Sequence, residues 1–534
     1  MPENLAQLIL LLVTDQFRQD AFHPFVTPNL YKLSLDPAAT TFTNAYSSTP
    51  TCTPARAGLF TGKSPWNHGM LGYAHTVNCQ EYPATLPAML HELGGYETFI
   101  VGKNHFGWNA MGDDVTHGFQ HLKLYEPMPK ARPDDYEIYY NSLHPGKDPL
   151  NGTCHSLGIN DWRACPYGSP REEEHPTAWT TRQALSYLQK YNFSDPEQRM
   201  FLKVSYHRPH SPYDPPGRLL QKYLHSENVV PQRHINQTSW DTNFRNHTPM
   251  TASDWHGDPG KHAAHHTRAG YLASVDFVDE GIGAILDWLS QRETNADTEE
   301  GASSNLLESS LIIWASDHGD MNGDHNLWRK GYPYEGSAHI NLIAKLPRST
   351  GEYSNIIDNQ PKKSSALVEL RDVTVTIYDY LGILRQVERK DPLLNGISVL
   401  PILRGENNEN ENKLLRQWLD LEHSTVYNDY IHWNALVGIH KHNGSPLLWK
   451  YIFYSLNGAE QLFCLSSDPN EMNELSTDTQ WSHMIGHWRE TMVKQFEREG
   501  RGTDWVRNGR LVPRTKPTIF GPNYPCGNKP LLQE

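Results

Sequence analysis

The feature that most constrains the fold is a set of short, largely apolar runs spaced along the chain. The run Gln7–Thr14 has none of the apolar–polar alternation of a strand with one face in water. A continuous run of this length is typical of a strand that is covered on both faces in a parallel α/β sheet. Further short runs of this kind are Glu97–Gly102, Met200–Tyr206, Leu311–Ser316 and Ile340–Lys345.

Helical patterns lie between these runs. They cover Ala84–Leu93, Ala178–Lys190 and Arg268–Gln291, and in the last of these the apolar residues recur every three or four positions. Such spacing draws one apolar stripe along a helix. Strands that alternate with helices in this way predict an α/β fold with a large, doubly wound mixed sheet flanked by helices.

Polar stretches interrupt the pattern. Thr294–Ser310 and Gly351–Ser365 are rich in Asn, Glu, Ser and Gly and are predicted to be loops. His207–Thr267 is rich in Pro, His and Asn and is interpreted as an irregular insertion. Gly405–Lys413 is a charged, low-complexity linker. We therefore expect a catalytic α/β domain at 1–405 and a smaller domain at 414–534.

The smaller domain has a different pattern. Short apolar runs at Leu436–Ile439, Trp449–Tyr454 and Glu460–Leu465 follow one another closely and predict antiparallel strands. An amphipathic helix is predicted near Trp481–Glu497. The C-terminal part is therefore expected to be a small α+β domain with an antiparallel sheet.

Charge and hydropathy exclude several classes of function. The 534 residues contain 47 Lys plus Arg against 61 Asp plus Glu, a formal net charge of −14. This excess of acid disfavours binding to nucleic acid or to an anionic membrane surface. The longest strongly apolar run, Leu8–Val13, is far shorter than the roughly 20 residues of a membrane-spanning helix. No basic region precedes that run, so we expect a cytoplasmic protein, or a periplasmic or secreted one whose leader has been removed.

Two predicted strands end in pairs of metal-ligand residues. Asp15-Gln16 ends the first strand, and Asp317-His318 follows the strand Leu311–Ser316. Functional groups of parallel α/β folds lie where strands end, so these pairs predict a metal site if the two strands are neighbours. The alternative is that both aspartates only cap the structure that follows.

A third motif surrounds Cys52. Pro54 predicts a helix start, which would put the Cys52 side chain at the positive end of a helix dipole, with Arg56 one turn on. These surroundings favour a nucleophile or an anionic group at position 52. The alternative is an inert, buried thiol. The other five cysteines are too scattered for a disulfide scaffold, although Cys154 and Cys165 could form a disulfide in an exported protein.

Together these residues resemble the signature motifs of the formylglycine-dependent (type I) sulfatases, a family of the alkaline phosphatase superfamily. Cys52-Thr-Pro-Ala-Arg56, followed by Leu59-Phe60-Thr61-Gly62, is similar to the segment whose Cys is oxidised to formylglycine. The further elements, in the family's order, are Thr14-Asp15-Gln16, Gly102-Lys103-Asn104-His105, Pro209-His210-Ser211-Pro212, Ser316-Asp317-His318-Gly319 and Trp328-Arg329-Lys330. The resemblance continues at Glu460–Phe463 and Asp468–Glu471, and so covers essentially the whole chain.

The resemblance implies a role for each motif residue. The metal ligands would be Asp15, Gln16, Asp317 and His318, together with the formylglycine at position 52. The metal would activate one hydroxyl of the hydrated aldehyde for attack on sulfur. Lys103 and Lys330 would bind the sulfate oxygens and Arg56 the formylglycine. His210 would protonate the leaving oxygen, with His207 as the alternative, and His105 would accept the proton that accompanies sulfate release. A maturation enzyme that oxidises Cys52 is an implied partner.

Two departures from the common family pattern affect the expected metal and substrate. Most members have Asp-Asp where this chain has Asp15-Gln16, and many have Asp-Asn in place of Asp317-His318. Calcium is the expected metal, and the imidazole makes manganese or another divalent ion the alternative. The same pairs occur in related phosphonate monoester and phosphodiester hydrolases, which form the rival interpretation. Those enzymes lack the Lys-x-His of Lys103 and His105, so the sequence favours a sulfate ester.

The alcohol part of the substrate is less constrained. We expect a carbohydrate sulfate, with an aryl or choline sulfate as the alternative. Trp108, Tyr136–Tyr140 and the insertion His207–Thr267 could line a sugar-binding rim, or they could be packing residues. A non-catalytic binding protein on the same scaffold is a third hypothesis, although no motif residue has been lost.

Overall fold

A computed structural model gives the fold of the chain and describes residues 5–74, 82–105, 116–127, 132–147, 149, 158–169, 171–226, 255–293, 305–348, 361–406, 415–424 and 432–526. The strands of the larger sheet are β1 (Leu8–Asp15), β2 (Ala39–Tyr46), β3 (Glu97–Gly102), β4 (His121–Leu124), β5 (Met200–Pro209), β6 (Leu311–Ser316), β7 (His339–Lys345) and β8 (Lys362–Glu369). Their spatial order is β4-β3-β5-β1-β6-β7-β2-β8. Only β7 runs antiparallel to its neighbours, so the sheet is mixed, as the sequence predicts.

Helices cover both faces of this sheet. The described helices are α1 (Pro28–Ser34), α2 (Cys52–Thr61), α3 (Pro65–His68), α4 (Leu86–Glu92), α5 (Asp135–Leu143), α6 (Pro176–Lys190), α7 (Gly217–Leu224), α8 (Lys261–Ser290), α9 (Leu306–Ser309), α10 (Glu335–Ala338), α11 (Leu370–Tyr380), α12 (Leu384–Lys390), α13 (Leu400–Leu403) and α14 (Ser482–Arg498). Ile9, Leu11 and Val13 of β1 belong to the core that contains α2, α4 and α11. The alternate residues of β1 belong to the core that contains α1, α6 and α8. The doubly wound prediction is therefore confirmed. Among the described helices, none is both long enough and apolar enough to cross a bilayer.

Several boundaries differ from the sequence prediction. The predicted loop Gly351–Ser365 overlaps β8, whose first residues are polar because this strand lies at the edge of the sheet. The predicted loop Thr294–Ser310 contains α9, which a capping box from Asn305 starts. The described parts of His207–Thr267 include the end of β5, helix α7 and the start of α8. Strands β2 and β4 were not predicted, since neither is a continuous apolar run.

The C-terminal part forms a second, four-stranded antiparallel sheet in the order β12-β11-β10-β9. Its strands are β9 (Trp418–Ser424), β10 (His432–His442), β11 (Ser445–Tyr454) and β12 (Glu460–Cys464), and a small hairpin follows with β13 (Val506–Arg507) and β14 (Arg510–Leu511). Met484, Trp488 and Met492 of α14 pack on one face. The predicted antiparallel sheet and amphipathic helix are confirmed, with β9 as an additional strand. The predicted linker, Gly405–Lys413, lies outside the described residues from position 407 onward, and the boundary between the domains at 405 and 414 stays a prediction.

The edge strand β9 packs directly on the segment of the larger domain that flanks Cys52. The N–H of Glu422 donates to Ser48 O at 2.8 Å, and the N–H of Ser424 donates to Leu71 O at 2.8 Å. A Cβ on Gly72 would lie only 2.0 Å from Ser424 O, so only glycine permits this approach. The second sheet thus supports the loop that leads into α2.

Candidate active site

The carboxyl ends of four adjacent parallel strands, β3, β5, β1 and β6, meet at one edge of the larger sheet. Asp15 is the last residue of β1, and Asp317 follows β6 directly. Lys103 follows β3, and His210 follows β5. The expectation that the two metal-ligand pairs end neighbouring strands is therefore confirmed, because β1 pairs with β6 in parallel.

Helix α2 brings Cys52 to the same edge. Cys52 is the first residue of the helix, where the unpaired N–H groups carry a partial positive charge. Every residue of α2 is buried, and Cys52 itself is only 1% exposed. The sulfur therefore faces the interior of the site and not bulk water.

The sulfur of Cys52 lies between two ammonium groups and the candidate metal ligands. Its Sγ is 3.0 Å from Lys330 Nζ and 3.5 Å from Lys103 Nζ. It is also 3.3 Å from His318 Nε2 and 3.7 Å from Asp15 Oδ1. Burial acts to raise the pKa of the Cys52 thiol, but Lys103 and Lys330 outweigh it and hold this pKa well below its ordinary value. Position 52 is thus a strongly electropositive point in an acidic protein.

Arg56 joins the two carboxylates that flank the sulfur. Its Nε donates to Asp317 Oδ2 at 2.9 Å, and its Nη2 donates to Asp15 Oδ2 at 3.2 Å. Nη1 donates to Ser205 Oγ and to the carbonyl oxygen of Lys103. The resemblance implied that Arg56 holds the group at position 52, whereas its described hydrogen bonds fix the carboxylates of the candidate metal ligands Asp15 and Asp317. Burial and the Asp15 charge raise the pKa of Asp317, and nearby cations hold the pKa of Asp15 low despite burial.

Asp15, Cys52, Asp317 and His318 form a buried cluster whose ligand atoms all lie within 4.8 Å of one another. His318 Nδ1 is 2.9 Å from the Gly319 carbonyl oxygen, which accepts its proton and leaves the Nε2 lone pair facing the cluster. Nε2 lies 3.5 Å from Asp15 Oδ1 and 3.6 Å from Asp317 Oδ1. Two carboxylates and an imidazole in this arrangement are compatible with a divalent cation.

Gln16 supplies an independent sign that a cation fits here. Its backbone has a φ of 66°, which is uncommon for a residue with a side chain and is held by hydrogen bonds to Asp317 and Tyr271. The amide nitrogen donates to Asp320 Oδ2 at 2.6 Å, which fixes the amide orientation. The other amide atom, Oε1, is buried and has no hydrogen-bond partner. A bound cation would satisfy an orphaned oxygen of this kind.

The two histidines of the implied acid–base pair are both buried in the site. His210 Nδ1 donates to the Ser211 carbonyl oxygen at 2.7 Å, which leaves Nε2 as the reactive nitrogen. Both ring nitrogens of His105 are buried without a hydrogen-bond partner. Burial lowers the pKa of each imidazole to about 4, so both are neutral near pH 7.

The backbone around Lys103 and His105 is held by residues that the sequence analysis missed. A Cβ on Gly102 would lie 2.1 Å from Ser205 O, and its φ of 91° also favours glycine. The carboxylate of Glu126 accepts the N–H groups of Asn104 and His105, at 2.5 and 2.7 Å. No motif marks Glu126, because its role depends on a contact between separate segments.

His423 of the second sheet reaches the residue that precedes Cys52. Its Nε2 lies 3.2 Å from Thr51 Oγ1. Burial, together with the charges of His432 and His318, lowers the pKa of His423 to about 3. The imidazole is neutral in the fold and would have to become charged in a buried position at low pH.

We expect His423→Gln to make the folded protein less sensitive to acid. The His423 pKa is lower in the fold than the ordinary 6.5, so the folded state binds fewer protons and stability is lost as pH falls below that value. From pH 7 to pH 5, protonation linked to His423 should lower the free energy of unfolding of the wild type by about 2 kcal/mol. The glutamine variant should not show this decrease. Urea unfolding at both pH values measures the difference. The exposed His262, changed to Gln, is the control, and equal pH dependence of the two variants would contradict the expectation.

The predicted aromatic rim is not seen in the described residues. Tyr136 and Tyr140 are buried with Tyr125 and Trp179 in one aromatic cluster, so they are packing residues. Trp108 lies outside the described residues. Cys165 is disulfide-bonded, and so is Cys526, whereas Cys154 lies outside the described residues.

Comparison with known proteins agrees with this geometry. The sulfatase family model matches residues 7–383. The arylsulfatase of Clostridium perfringens is 28% identical over 525 residues, which cover 94% of this chain and 97% of the relative. The human N-acetylglucosamine-6-sulfatase is 27% identical over 415 residues, which cover 75% of this chain and 65% of the relative.

Solved structures show the same fold. The phosphonate monoester hydrolase of Agrobacterium radiobacter superposes with a TM-score of 0.65 at 20% identity, over 95% of this chain and 99% of that one. At this identity the likeness concerns the fold alone. The family model, by contrast, matches well over half of the chain and includes the motifs from Thr14-Asp15-Gln16 to Trp328-Arg329-Lys330. The chain is a member of the sulfatase family of hydrolases and has the alkaline phosphatase-like fold.

Proposed function

We propose that this protein hydrolyses sulfate monoesters at the edge of the sheet where Cys52 lies, after Cys52 has been converted to formylglycine by a maturation enzyme. The observation that carries the proposal is the convergence of Lys103 Nζ and Lys330 Nζ on Cys52 Sγ, at 3.5 and 3.0 Å. Two buried ammonium groups on one atom suit a small anion that shares its charge among several oxygens.

The candidate ligands of a divalent cation are Asp15, Gln16, Asp317 and His318. Their donors are mostly oxygens, which favours calcium, whereas the one imidazole would also suit manganese. When bound, the cation would supply Lewis-acid activation of the hydrated aldehyde at position 52. Arg56 acts as a positioning residue here, because its guanidinium orients the carboxylates of Asp15 and Asp317.

The remaining side chains would bind the sulfate group and transfer protons. Lys103 and Lys330 bind the oxygens of the sulfate group. His210 gives a proton from Nε2 to the leaving oxygen, because its Nδ1 is engaged with the Ser211 carbonyl oxygen. A bound anion raises the pKa of this imidazole from about 4, which helps it to carry the proton when substrate is present. His105 is neutral and is the base at position 52.

The rival function is hydrolysis of phosphonate monoesters or phosphodiesters on the same fold. Lys103 and His105, both buried at the site, support the sulfate ester. The test is turnover of N-acetylglucosamine 6-sulfate, 4-nitrophenyl sulfate, choline sulfate and a phenyl phosphonate monoester by the same preparation. We expect the largest kcat/KM with the sugar sulfate. A preference for the phosphonate by orders of magnitude would reject the proposal.

Replacing Lys330 by alanine should lower kcat/KM for sulfate esters by about 10² to 10³-fold. The change removes one of two ammonium groups that contact the charged oxygens of the transition state, in a site that excludes water. Steady-state kinetics with 4-nitrophenyl sulfate provides the measurement. Lys222→Ala is the matched control, because the described partners of the Lys222 ammonium group are Asp276, Phe25 and Tyr223, none of which is a candidate site residue. A loss of less than tenfold for Lys330→Ala would contradict the assigned contact.

Cys165 and Cys526 are each disulfide-bonded. This favours an exported protein over a cytoplasmic one. Disulfides persist in oxidising compartments such as the periplasm or the exterior of the cell. We expect a reductant to lower the melting temperature by several degrees, about the effect of losing 2 to 4 kcal/mol. Thermal denaturation with and without reductant tests this. Alkylation of Cys165, which is buried, after denaturation without reductant would argue for the cytoplasm.

A further inference from the structure

His207 is a buried histidine beside the proposed acid that has no role in the scheme above. It lies on β5 and is 3% exposed. Its ring centroid is 4.6 Å from that of His210 and 5.4 Å from that of Tyr125. His207 is therefore packed against one of the groups that would handle the leaving alcohol.

The neighbouring arginine determines which nitrogen of His207 carries the proton. Arg208 Nη1 lies 2.5 Å from His207 Nδ1, and a guanidinium can only donate. Arg208 itself is fixed by two hydrogen bonds to Asp214, at 2.6 and 2.9 Å. His207 Nδ1 must therefore be the acceptor. Burial and the charges of His210 and Lys103 hold the pKa of His207 well below its ordinary value, so the ring is neutral and its proton is on Nε2.

This Nε2–H group is a fixed donor without an acceptor. Nε2 is buried and has no hydrogen-bond partner. It points away from Nδ1, and hence away from Arg208. Its ring packs on His210, which follows β5 at the edge of the sheet where Cys52 lies, and this contact places the imidazole beside the site. A buried donor without a partner destabilises the fold, and a substrate oxygen would remove that cost.

We propose that His207 Nε2–H donates a hydrogen bond to an oxygen on the alcohol part of the substrate, one carbon away from the sulfated carbon. The proposal rests on the sulfatase function proposed above. A sugar sulfate has such an oxygen, either the ring oxygen or a hydroxyl. Aryl sulfates lack it, as does choline sulfate, in which the adjacent carbon bears a quaternary nitrogen. His207 would thereby select a polyol ester.

The sulfate group is the other source of oxygen that this donor could meet. Lys103 and Lys330 already converge on the point where that group would lie. His207 instead neighbours His210, the proposed donor of a proton to the leaving oxygen. Next to the leaving oxygen, the first further acceptor in a sugar is the oxygen on the adjoining carbon. The contact therefore belongs to the alcohol side.

Two variants separate this contact from a structural role. In His207→Asn the amide lies where Nδ1 was, so the partner of Arg208 is kept and the donor into the site is lost. In His207→Gln the amide lies where Nε2 was, so the donor is kept and the partner of Arg208 is lost. If His207 only supported Arg208, asparagine would be the better replacement. If His207 contacts the substrate, glutamine would be the better replacement.

The measurement is kcat/KM of both variants for N-acetylglucosamine 6-sulfate and for 4-nitrophenyl sulfate, normalised to formylglycine content. We expect His207→Asn to lower the sugar-to-aryl ratio by roughly tenfold or more, and His207→Gln to keep the ratio within about threefold of the wild type. In a Cys52→Ala background, calorimetry should show the same order in the Kd for the sugar sulfate.

Two outcomes would overturn the proposal. An equal loss on both substrates would place the donor on the sulfate group, and a greater loss for glutamine than for asparagine would assign His207 to support of Arg208. Failure of the wild type to hydrolyse any sulfate ester is a separate result. It would reject the proposed function whatever the variants do.

Discussion

Replacement of Cys52 by alanine should lower kcat for sulfate-ester hydrolysis by at least about 10⁴-fold, because the nucleophile is then absent and cannot be regenerated. The effect should be on turnover and not on folding. Lys103 and Lys330 lose a contact, whereas the helix that begins at position 52 favours alanine. Kinetics and thermal denaturation on the same preparation separate the two effects.

Cys464 provides the matched control for that experiment. It is the other free cysteine among the described residues, and it is also buried, in strand β12 of the second sheet. Cys464→Ala should retain wild-type kcat. Mass spectrometry of the peptide that contains position 52 should show a loss of about 18 Da in active protein, whereas ordinary thiol oxidation adds mass. Active protein with an unmodified thiol at Cys52 would refute the formylglycine proposal.

Asp317→Asn should have the second largest effect, through the affinity for the divalent cation. The change removes one of two carboxylates from the cluster and also the negative partner of Arg56 Nε. We expect roughly 10² to 10⁴-fold weaker cation binding and a loss of activity of at least about 10³-fold at low calcium. Added calcium should raise the melting temperature of the wild type, since binding stabilises the folded state by mass action. The variant should need far more calcium for the same rise.

The control for a general loss of stability is Asp279→Asn. This carboxylate is also buried, but it accepts the N–H groups of Asn29 and Leu30 at the start of α1. The variant should be less stable and yet bind calcium and hydrolyse substrate as the wild type does. If Asp317→Asn kept the calcium-dependent rise in melting temperature at wild-type concentrations, Asp317 would not be a ligand.

The fold could be predicted where buried elements have a recognisable apolar pattern in the sequence. Strands β1, β5 and β6 are covered on both faces, so each is a largely apolar run in the sequence. Their alternation with helices predicts that they lie in one parallel sheet. Strand β8 escaped notice because it begins with polar residues at an edge of the sheet. Strand β9 escaped notice because its charged residues alternate with leucines.

Only those parts of the site that lie within a single segment of the sequence could be predicted. The strand-end pairs and the Cys52 motif are local, and the fold brings them together. Asp320, which orients Gln16, follows Asp317 by three residues, but nothing local distinguishes it from any other loop carboxylate. Glu126 and His423 act through hydrogen bonds to segments 22 and 372 residues away in sequence. Pairings of that kind are properties of the folded chain.

The burial of α2 has a consequence for the order of events during biosynthesis. Every side chain of Cys52–Thr61 is enclosed, and β9 of the second sheet packs on the segments before and after the helix. An enzyme that recognises the residues around Cys52 cannot reach them in the finished fold. The proposed oxidation of Cys52 would therefore have to precede folding, while the polypeptide is still extended. Chains that fold first would persist as stable, inactive forms with a thiol at position 52. The active fraction of a preparation would therefore depend on the rate of Cys52 oxidation relative to the rate of folding.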